Sequence, residues 1–321
     1  MKRLTTWMVG LAIGFLGSVP AWSSNGSGAE AWVRAWNQDG GKGTCSVFGM
    51  RSDGFGHLLV AGDILGTNGL RSHYVVKFGA QGDRIWETLV PVPQGNEAGV
   101  TALAVDGEGN AVITGGAGTV KVGGGGEVQW TAAGLHGRDM ALDPMGNVVI
   151  AGFSDQNLSL AKLSPQGSNL WTRIEEVVPG NPFYRAISHK LAVNATGQIF
   201  EGANWICRET ATGVAYDNAI STYDSDGNLG WRVSLDGCFR PLPEIYQALH
   251  PTKDGGVSVV YAIGGKEQDG SAFTAYNNSG ELIVSLRKVW AKVSVMNSAG
   301  NLFGSMGTTT SHTPDLPGTY Y

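Results

Sequence analysis

The chain has 321 residues, 42% of them apolar and 15% charged, with 49 glycines. Charge is well below the usual ~25% and glycine is about twice the usual ~7%, which excludes a helical bundle built from long Ala, Leu, Glu and Lys runs and fits a sheet protein with many turns. The formal charge of −5 and the lack of a basic cluster argue against nucleic-acid binding.

Residues 1–23 read as a signal peptide. Lys2 and Arg3 make the basic start, residues 7–16 the apolar run, and Pro20 with small residues around Ala21 and Ser23 suits cleavage. Lys2 and Arg3 are the only charges of that segment, so its removal takes the formal charge from −5 to −7. The run is short for a membrane span, and no second one follows. The expectation is an exported monomer, periplasmic, cell-surface or extracellular, with residues 24–321 as one domain.

A segment with Gly28 four places before Trp32 comes next. Then a unit repeats, clearest at 100–130. Residues 101–105 form a strand, Asp106-Gly-Glu-Gly-Asn110 a tight turn, 111–114 a second strand, 119–122 a third and 127–130 a fourth. Four short strands with tight turns make one antiparallel sheet of the kind found in a β-propeller blade.

Two turn signals carry the repeat. The first joins strands one and two, and its glycines are Gly56, Gly109, Gly146, Gly197, Gly255 and Gly300, spaced by 53, 37, 51, 58 and 45 residues. An Asx residue usually opens it by bonding the backbone, and glycine supplies positive φ. The second joins strands three and four: Gly82/Trp86, Gly126/Trp130, Gly167/Trp171 and Gly227/Trp231, with Gly280/Val284 as the weak copy. A tryptophan at a fixed place in an outer strand is read as an inter-blade packing residue.

Six first signals face five second ones after residue 50, and Gly28/Trp32 supplies the sixth offset. The expected fold is therefore all-β, a propeller of about six four-stranded blades. Its N-terminal strand at 31–36 completes the last blade and removes two exposed edges. Residues 308–321 carry few strand signals, with 318–321 as the only third strand available to that blade.

The pattern Ala-x-Asp-x-x-Gly-Asn-x-x-x-x-Gly, a strand, then Gly-x-x-x-Trp resembles the bacterial SBBP-type β-propeller repeat, best at 101–130 and next at 141–171. The resemblance covers about 28–304. It implies an exported or surface protein and seven blades, against six counted. Quinoprotein-type propellers are more distant relatives by the same Gly-x-x-x-Trp. The sequence offers no assignable paired Asp/Lys constellation and no vicinal cysteines, so quinone binding is not supported.

The chemistry-bearing motifs are few. Asp224-Ser-Asp-Gly-Asn228 has alternating oxygens, but a calcium site needs about 6–8 of them, and a hairpin turn explains it. Gly123-Gly-Gly-Gly126 lacks the Lys-Ser/Thr and helix of a phosphate loop and reads as a β-turn. No histidine pair has metal spacing, and no cofactor or metal is implied. Either Cys207 and Cys238 pair, leaving Cys45 odd, or all three are unpaired thiols.

Short turns fall on one face of the ring. The connections at 63–72, 91–99, 175–188, 205–218, 237–244 and 264–271 fall on the other, where binding usually resides. Aromatic and arginine residues gather there: Phe183, Tyr184, Arg185, Trp205, Arg208, Phe239, Arg240 and Tyr246, with Tyr74 beside them. Such residues dominate interaction hot spots; alternatively these loops pack on one another. The leading expectation is a non-catalytic binding or scaffold module for a protein or glycan partner. The second is a hydrolase or lyase at the channel mouth, with Glu175, Glu209, Asp217, Glu244 and His250 as candidates.

Overall fold

A computed structural model describes residues 44–96, 98–154, 157–175, 186–210, 213–235, 246–252, 254–263, 270–289, 291–296 and 302–306. They form five four-stranded antiparallel sheets and, last, a two-stranded one. The first holds β1 (Thr44–Ser52), β2 (Leu58–Leu65), β3 (Arg71–Phe78) and β4 (Arg84–Pro91). The second holds β5 (Ala102–Val105), β6 (Ala111–Gly115), β7 (Gly118–Val122) and β8 (Val128–Ala132). The third holds β9 (Asp139–Leu142), β10 (Val148–Ser154), β11 (Asn157–Leu163) and β12 (Asn169–Glu175). The fourth holds β13 (Ala186–Val193), β14 (Ile199–Thr210), β15 (Gly213–Tyr223) and β16 (Leu229–Ser234). The fifth holds β17 (Tyr246–Pro251), β18 (Val257–Ile263), β19 (Gly270–Tyr276) and β20 (Leu282–Val289), and the pair is β21 (Ala291–Met296) with β22 (Leu302–Met306). The expected signal segment, the expected N-terminal strand and residues 308–321 lie outside the described residues, and so does the expected closure of a ring.

Among the described residues both turn signals fall where the sequence puts them; the Gly300 and Gly28/Trp32 copies lie outside these residues. Asp106 Oδ1 accepts the amides of Glu108 and Asn110 at 3.0 and 2.9 Å, which closes the turn by side chain as well as backbone. Asp143 and Asp224 repeat this geometry. The Asp224 carboxylate thus serves its own backbone, and Gly123–Gly126 is a plain turn, with Gly126 N–H bonded to Gly123 O at 2.9 Å.

First strands of successive sheets contact one another in the series β1, β5, β9, β13, β17, β21, so they form the inner wall. The core lies between sheets. Leu59 and Val75 of sheet 1 pack on Leu103, Ile113 and Val120 of sheet 2. Similar clusters join sheets 2 and 3, 3 and 4, and 4 and 5.

The tryptophans bind sheet to sheet by one repeated contact. Trp86, Trp130, Trp171 and Trp231 donate their indole N–H to Gly124 O, Pro165 O, Ser225 O and Asn278 O of the next sheet, at 2.7, 2.9, 3.1 and 2.9 Å. Each accepting carbonyl stands two residues before the glycine of that sheet's third turn. Those glycines, Gly126, Gly167, Gly227 and Gly280, have φ of 96, 84, 78 and 80°. A Cβ added there would come within 2.7–3.1 Å of the indole. Glycine is therefore needed twice over, for its φ and for the flat surface that receives the ring.

Three expectations are corrected. The 205–218 connection is not a loop: β14 and β15 run on as a long hairpin, with Trp205 opposite Asp217 and Thr210 opposite Gly213. The 63–72 connection is shorter than expected, because β2 and β3 pair out to Leu65 and Arg71. Tyr74 is not a surface aromatic; it is fully buried in β3 and its hydroxyl donates to Ser46 O.

Candidate functional site: the inner wall and the long-loop rim

The inner strands place equivalent residues at one level. Arg51, Ala104, Ala141, Ala192 and His250 each stand opposite the second residue of the neighbouring strand. Three alanines leave room, and Arg51 is exposed. One level toward the long-loop face, Asp139 and Lys190 are opposite Ala151 and Gly202 on adjacent sheets.

Asp139 is the perturbed group of this wall. Its Oδ2 accepts the Leu191 amide at 3.0 Å and its Oδ1 the Met140 amide at 2.9 Å. Lys190 Nζ lies 3.9 Å from Oδ2. Burial pushes its carboxyl above the ordinary range, against the opposing pull of Lys190, the two amides and Arg51. Lys190 keeps 41% of its side chain exposed, so its charge faces the opening.

At the long-loop rim, between sheets 2 and 3, lies a cavity of about 360 Å³ lined by Ala98, Gly99, Thr101, Gly115, His136, Gly137, Arg138 and Gly152. The β8–β9 connection puts His136 and Arg138 there, both exposed. Thr101 Oγ1 donates to Gly137 O at 2.6 Å, and Gly137 N–H donates to Thr114 Oγ1 at 3.1 Å, so the backbone of the rim is fixed.

Under this rim sits a carboxylate–imidazole pair. His73 Nδ1 is 2.6 Å from Asp63 Oδ1, and Ala117 N–H donates to Nε2 at 3.1 Å. The second contact makes Nε2 the lone-pair nitrogen and puts the proton on Nδ1, toward Asp63. His73 is 0% exposed, and Gly99 and Gly115 close over the pair. It is a brace between sheets 1 and 2.

The short-turn face also carries a groove, about 540 Å³, between sheets 2 and 3. Asp106, Glu108, Lys121, Gln129, Trp130 and Met145 are among its walls. Its floor is occupied by internal bonds. Lys121 Nζ is 2.8 Å from Asp106 Oδ2 and 3.4 Å from Pro165 O, the carbonyl that also accepts Trp130 Nε1.

Lys121 belongs to a set the sequence reading missed. Lys77–Asp53, Lys121–Asp106 and Lys162–Asp143 pair at 2.9, 2.8 and 2.8 Å, each within one sheet and each buried. This corrects the expectation that no Asp/Lys pairs are assignable; the Lys121–Asp106 pair lies in the floor of the short-turn groove, and each of the three pairs is satisfied internally. The signal was present. Lysine is the next-to-last residue of the third strand only where Asp opens the first turn. Burial alone would raise the Asp106 and Asp143 carboxyls, but the lysine and the side chain of Asn110 or Asn147 hold both below the usual range. Asp53 is lowered in the same way by Lys77 and His57.

Of the predicted binding residues, Trp205 and Arg208 fall in β14 and Tyr246 opens β17. Phe183, Tyr184, Arg185, Phe239 and Arg240 lie outside the described residues. Cys207 sits at the register shift of β14, between Ile206 and Arg208. Cys238, and so the Cys207–Cys238 bond, lies outside the described residues. Among the catalytic candidates Glu175 is consumed structurally. Arg232 of the next sheet holds it by two bonds, the NH2–Oε2 one at 2.6 Å, and Arg232 also reaches Ser221 and Tyr223. Glu209 and Asp217 fall in β14 and β15, His250 lies on the inner wall, and Glu244 is outside the described residues. Among the described residues no group of three His, Cys, Asp or Glu has the geometry to hold a metal ion. Nor is any described helix long and apolar enough to cross a membrane.

No family model and no curated protein matches the chain. Solved structures with a similar fold include the β-propeller domain of the Trilobed protease from Pyrococcus furiosus (7% identity, TM-score 0.48, 83% of this chain and 78% of that one). A protein of unknown function from Bacteroides caccae matches at 14% identity and TM-score 0.43, over 80% of this chain and 85% of that one. A gluconolactonase from Xanthomonas campestris matches at 13% identity and TM-score 0.39, over 74% and 79%.

Proposed function

We propose that this is an exported, non-catalytic binding module, periplasmic, cell-surface or extracellular, which takes an acidic glycan or protein on its long-loop face. The scaffold is a six-bladed propeller closed by the N-terminal strand and acting as a monomer. The observation that carries the reading is the cationic character of that face. Arg138 stands exposed at the rim cavity beside the His136 ring, and Lys190 faces the opening from the inner wall behind it. Of the carboxylates on this side, Asp63, Asp139 and Glu175 are engaged by neighbouring groups. Arginine beside aromatic residues suits sulfate, carboxylate or phosphate groups, and the sequence-based expectation is that Phe183, Tyr184, Arg185, Trp205, Arg208, Phe239, Arg240 and Tyr246 supply both.

The test is cosedimentation with acidic and neutral polysaccharides and with envelope protein fractions. Trp205, Arg208 and Arg240 changed together to alanine should abolish retention while the melting temperature stays within a few degrees. A triple variant that unfolds, or a wild-type protein retained by none of these fractions, removes the reading. A second reading, a hydrolase or lyase at the channel mouth, is favoured by one observation, the raised Asp139 carboxyl 3.9 Å from Lys190. A buried acid next to a cation is a general acid–base candidate.

A further inference from the structure

The groove on the short-turn face is open because of one residue. The third position of the first turn is Phe55 in sheet 1, Glu108 in sheet 2 and Met145 in sheet 3. Phe55 leans over the interface to sheet 2: a Cβ added at Gly109, in the first turn of that sheet, would meet its ring at 3.4 Å. Glu108 does not repeat this toward sheet 3. A Cβ added at Gly146 would meet Pro165 of its own sheet, at 3.7 Å, and nothing nearer. The space that Phe55 takes up between sheets 1 and 2 thus stays open between sheets 2 and 3, with a volume of about 540 Å³. Ligand pockets usually hold about 300–1,000 Å³.

The lining is of two kinds. Trp130, Met145 and Pro165 are apolar, with Trp130 half-buried and Met145 81% exposed. Glu108, Gln129 and Gln166 are polar and exposed. These three keep bonding capacity to spare. Glu108 Oε2 accepts Asn110 Nδ2 at 3.2 Å, which leaves Oε1. Gln129 Nε2 donates to Glu127 Oε1 at 3.3 Å, which leaves the amide oxygen. Gln166 bonds Ser164 Oγ through its backbone N–H, at 3.3 Å, and its whole side-chain amide is left over among the described residues.

Charge and bonding type narrow the choice of ligand. Lys121 in the floor is balanced by Asp106 at 2.8 Å. Glu108 is then the one lining group with an unpaired charge, which disfavours an anion. A cation would find only that carboxylate, already bonded to Asn110, beside two amides. Hydroxyl groups suit the set better. Each hydroxyl gives one proton and accepts others, an amide offers both functions, and a carboxylate accepts from two neighbouring hydroxyls. Trp130 and Met145 add apolar surface for C–H groups. A neutral sugar ring has both, a rim of hydroxyls and a face of C–H groups.

We propose that this groove is a subsite for one neutral sugar ring of a glycan. Glu108, Gln129 and Gln166 bond its hydroxyls, and Trp130 with Met145 packs on its C–H face. It lies on the face opposite the acidic-ligand site proposed above and does not rest on that reading. The probes are soluble dextran, mannan, galactan and xylan, with polygalacturonate and chitosan as anionic and cationic controls. Affinity electrophoresis reads binding. The Trp130 indole N–H signal in NMR, assigned with Trp130→Phe, locates it. At least one neutral polymer should retard the protein and move that signal. Glu108→Phe puts the sheet 1 residue into the groove and should abolish the retardation. Gln166→Ala should weaken binding about five- to tenfold, the loss of one hydrogen bond. Both side chains are exposed, so both variants should melt within a few degrees of the wild type. If Glu108→Phe fails to fold, Gln166→Ala alone decides. Changing Trp205, Arg208 and Arg240 should leave neutral-glycan binding intact, which separates the two sites. The proposal is overturned if no neutral polymer is bound, if folded Gln166→Ala binds as the wild type does, or if only polygalacturonate or chitosan moves the Trp130 signal.

Discussion

Sheets 1 to 3 and sheets 4 and 5 solve the same turn with different chemistry. In the first three the turn opens with Asp53, Asp106 or Asp143, and a buried lysine answers from the third strand. In sheet 4 the opener is Asn194, whose Oδ1 accepts the Thr196 and Gln198 amides at 3.0 Å each, and the lysine place is held by Thr222. In sheet 5 Thr252 opens the turn and Ala275 takes the lysine place. The turn survives every version: in sheet 4 the uncharged amide oxygen takes the same amides, and in sheet 5 the backbone bonds between Thr252 and Gly255 and Gly256 close it. The charges come and go in pairs. The lysine is therefore present to neutralise a buried carboxylate, and no ligand is needed to explain it. Lys162 adds a bond to Ser225 O of the next sheet at 3.1 Å, so the pair also helps join sheets 3 and 4.

The strongest way to break the comparison is to remove one partner only. Lys162→Met leaves the Asp143 carboxylate buried, with amide donors but no cation, and should cost about 3–5 kcal/mol. Asp143→Asn with Lys162→Thr transplants the sheet 4 solution and should recover most of that loss. Urea unfolding of both variants measures it. A double variant as unstable as the single one would show that the charge itself holds sheet 3.

A smaller effect is expected in acid. The Asp106 and Asp143 carboxyls are depressed in the folded chain, below the unfolded value of about 3.9. Their contribution is complete above that value and is lost as pH falls through the folded one, because the unfolded chain binds the protons first. The melting temperature should drop between about pH 5 and pH 2, and drop less steeply once Asp143 and Lys162 are replaced by Asn and Thr. Equal slopes in the two proteins would mean that other carboxylates govern acid unfolding.

The contrast also marks how far the sequence could be read. Local rules fixed the strands and turns, because Asx and glycine signals act within five residues. The Gly–Trp offset disclosed inter-sheet packing, since its period repeats. The Asp/Lys pairs span up to 24 residues and meet only after three strands have paired, so spacing alone hid them. The 205–218 stretch carries one turn signal, Gly213 after Thr210-Ala-Thr, which marks the hairpin that β14 and β15 form. Tyr74 stands beside the 63–72 connection in sequence, but its place in β3 turns it inward, where Ser46 O satisfies its hydroxyl. At the candidate site the inner-wall residues were legible only as strand positions. That Asp139 and Lys190 share a level depends on the register of two sheets.

The smallest expected effect carries the opposite sign and comes from Asp139. Here burial outweighs the neighbours, so the folded carboxyl is raised. A raised acid contributes its stability below the unfolded value of about 3.9 and loses it as pH climbs through the folded one. At neutral pH the ionised group is therefore a net cost in the folded chain. Asp139→Asn keeps an oxygen for the Leu191 amide and removes the charge. It should raise stability at pH 7 by about 1 kcal/mol or less, and the gain should vanish as pH falls toward 4. Thermal melts of the two proteins across that range read the effect. If the variant is instead less stable at pH 7, the attraction of Lys190 and Arg51 outweighs burial. Asp139 would then stand with Asp53, Asp106 and Asp143 as a charge retained for its partner.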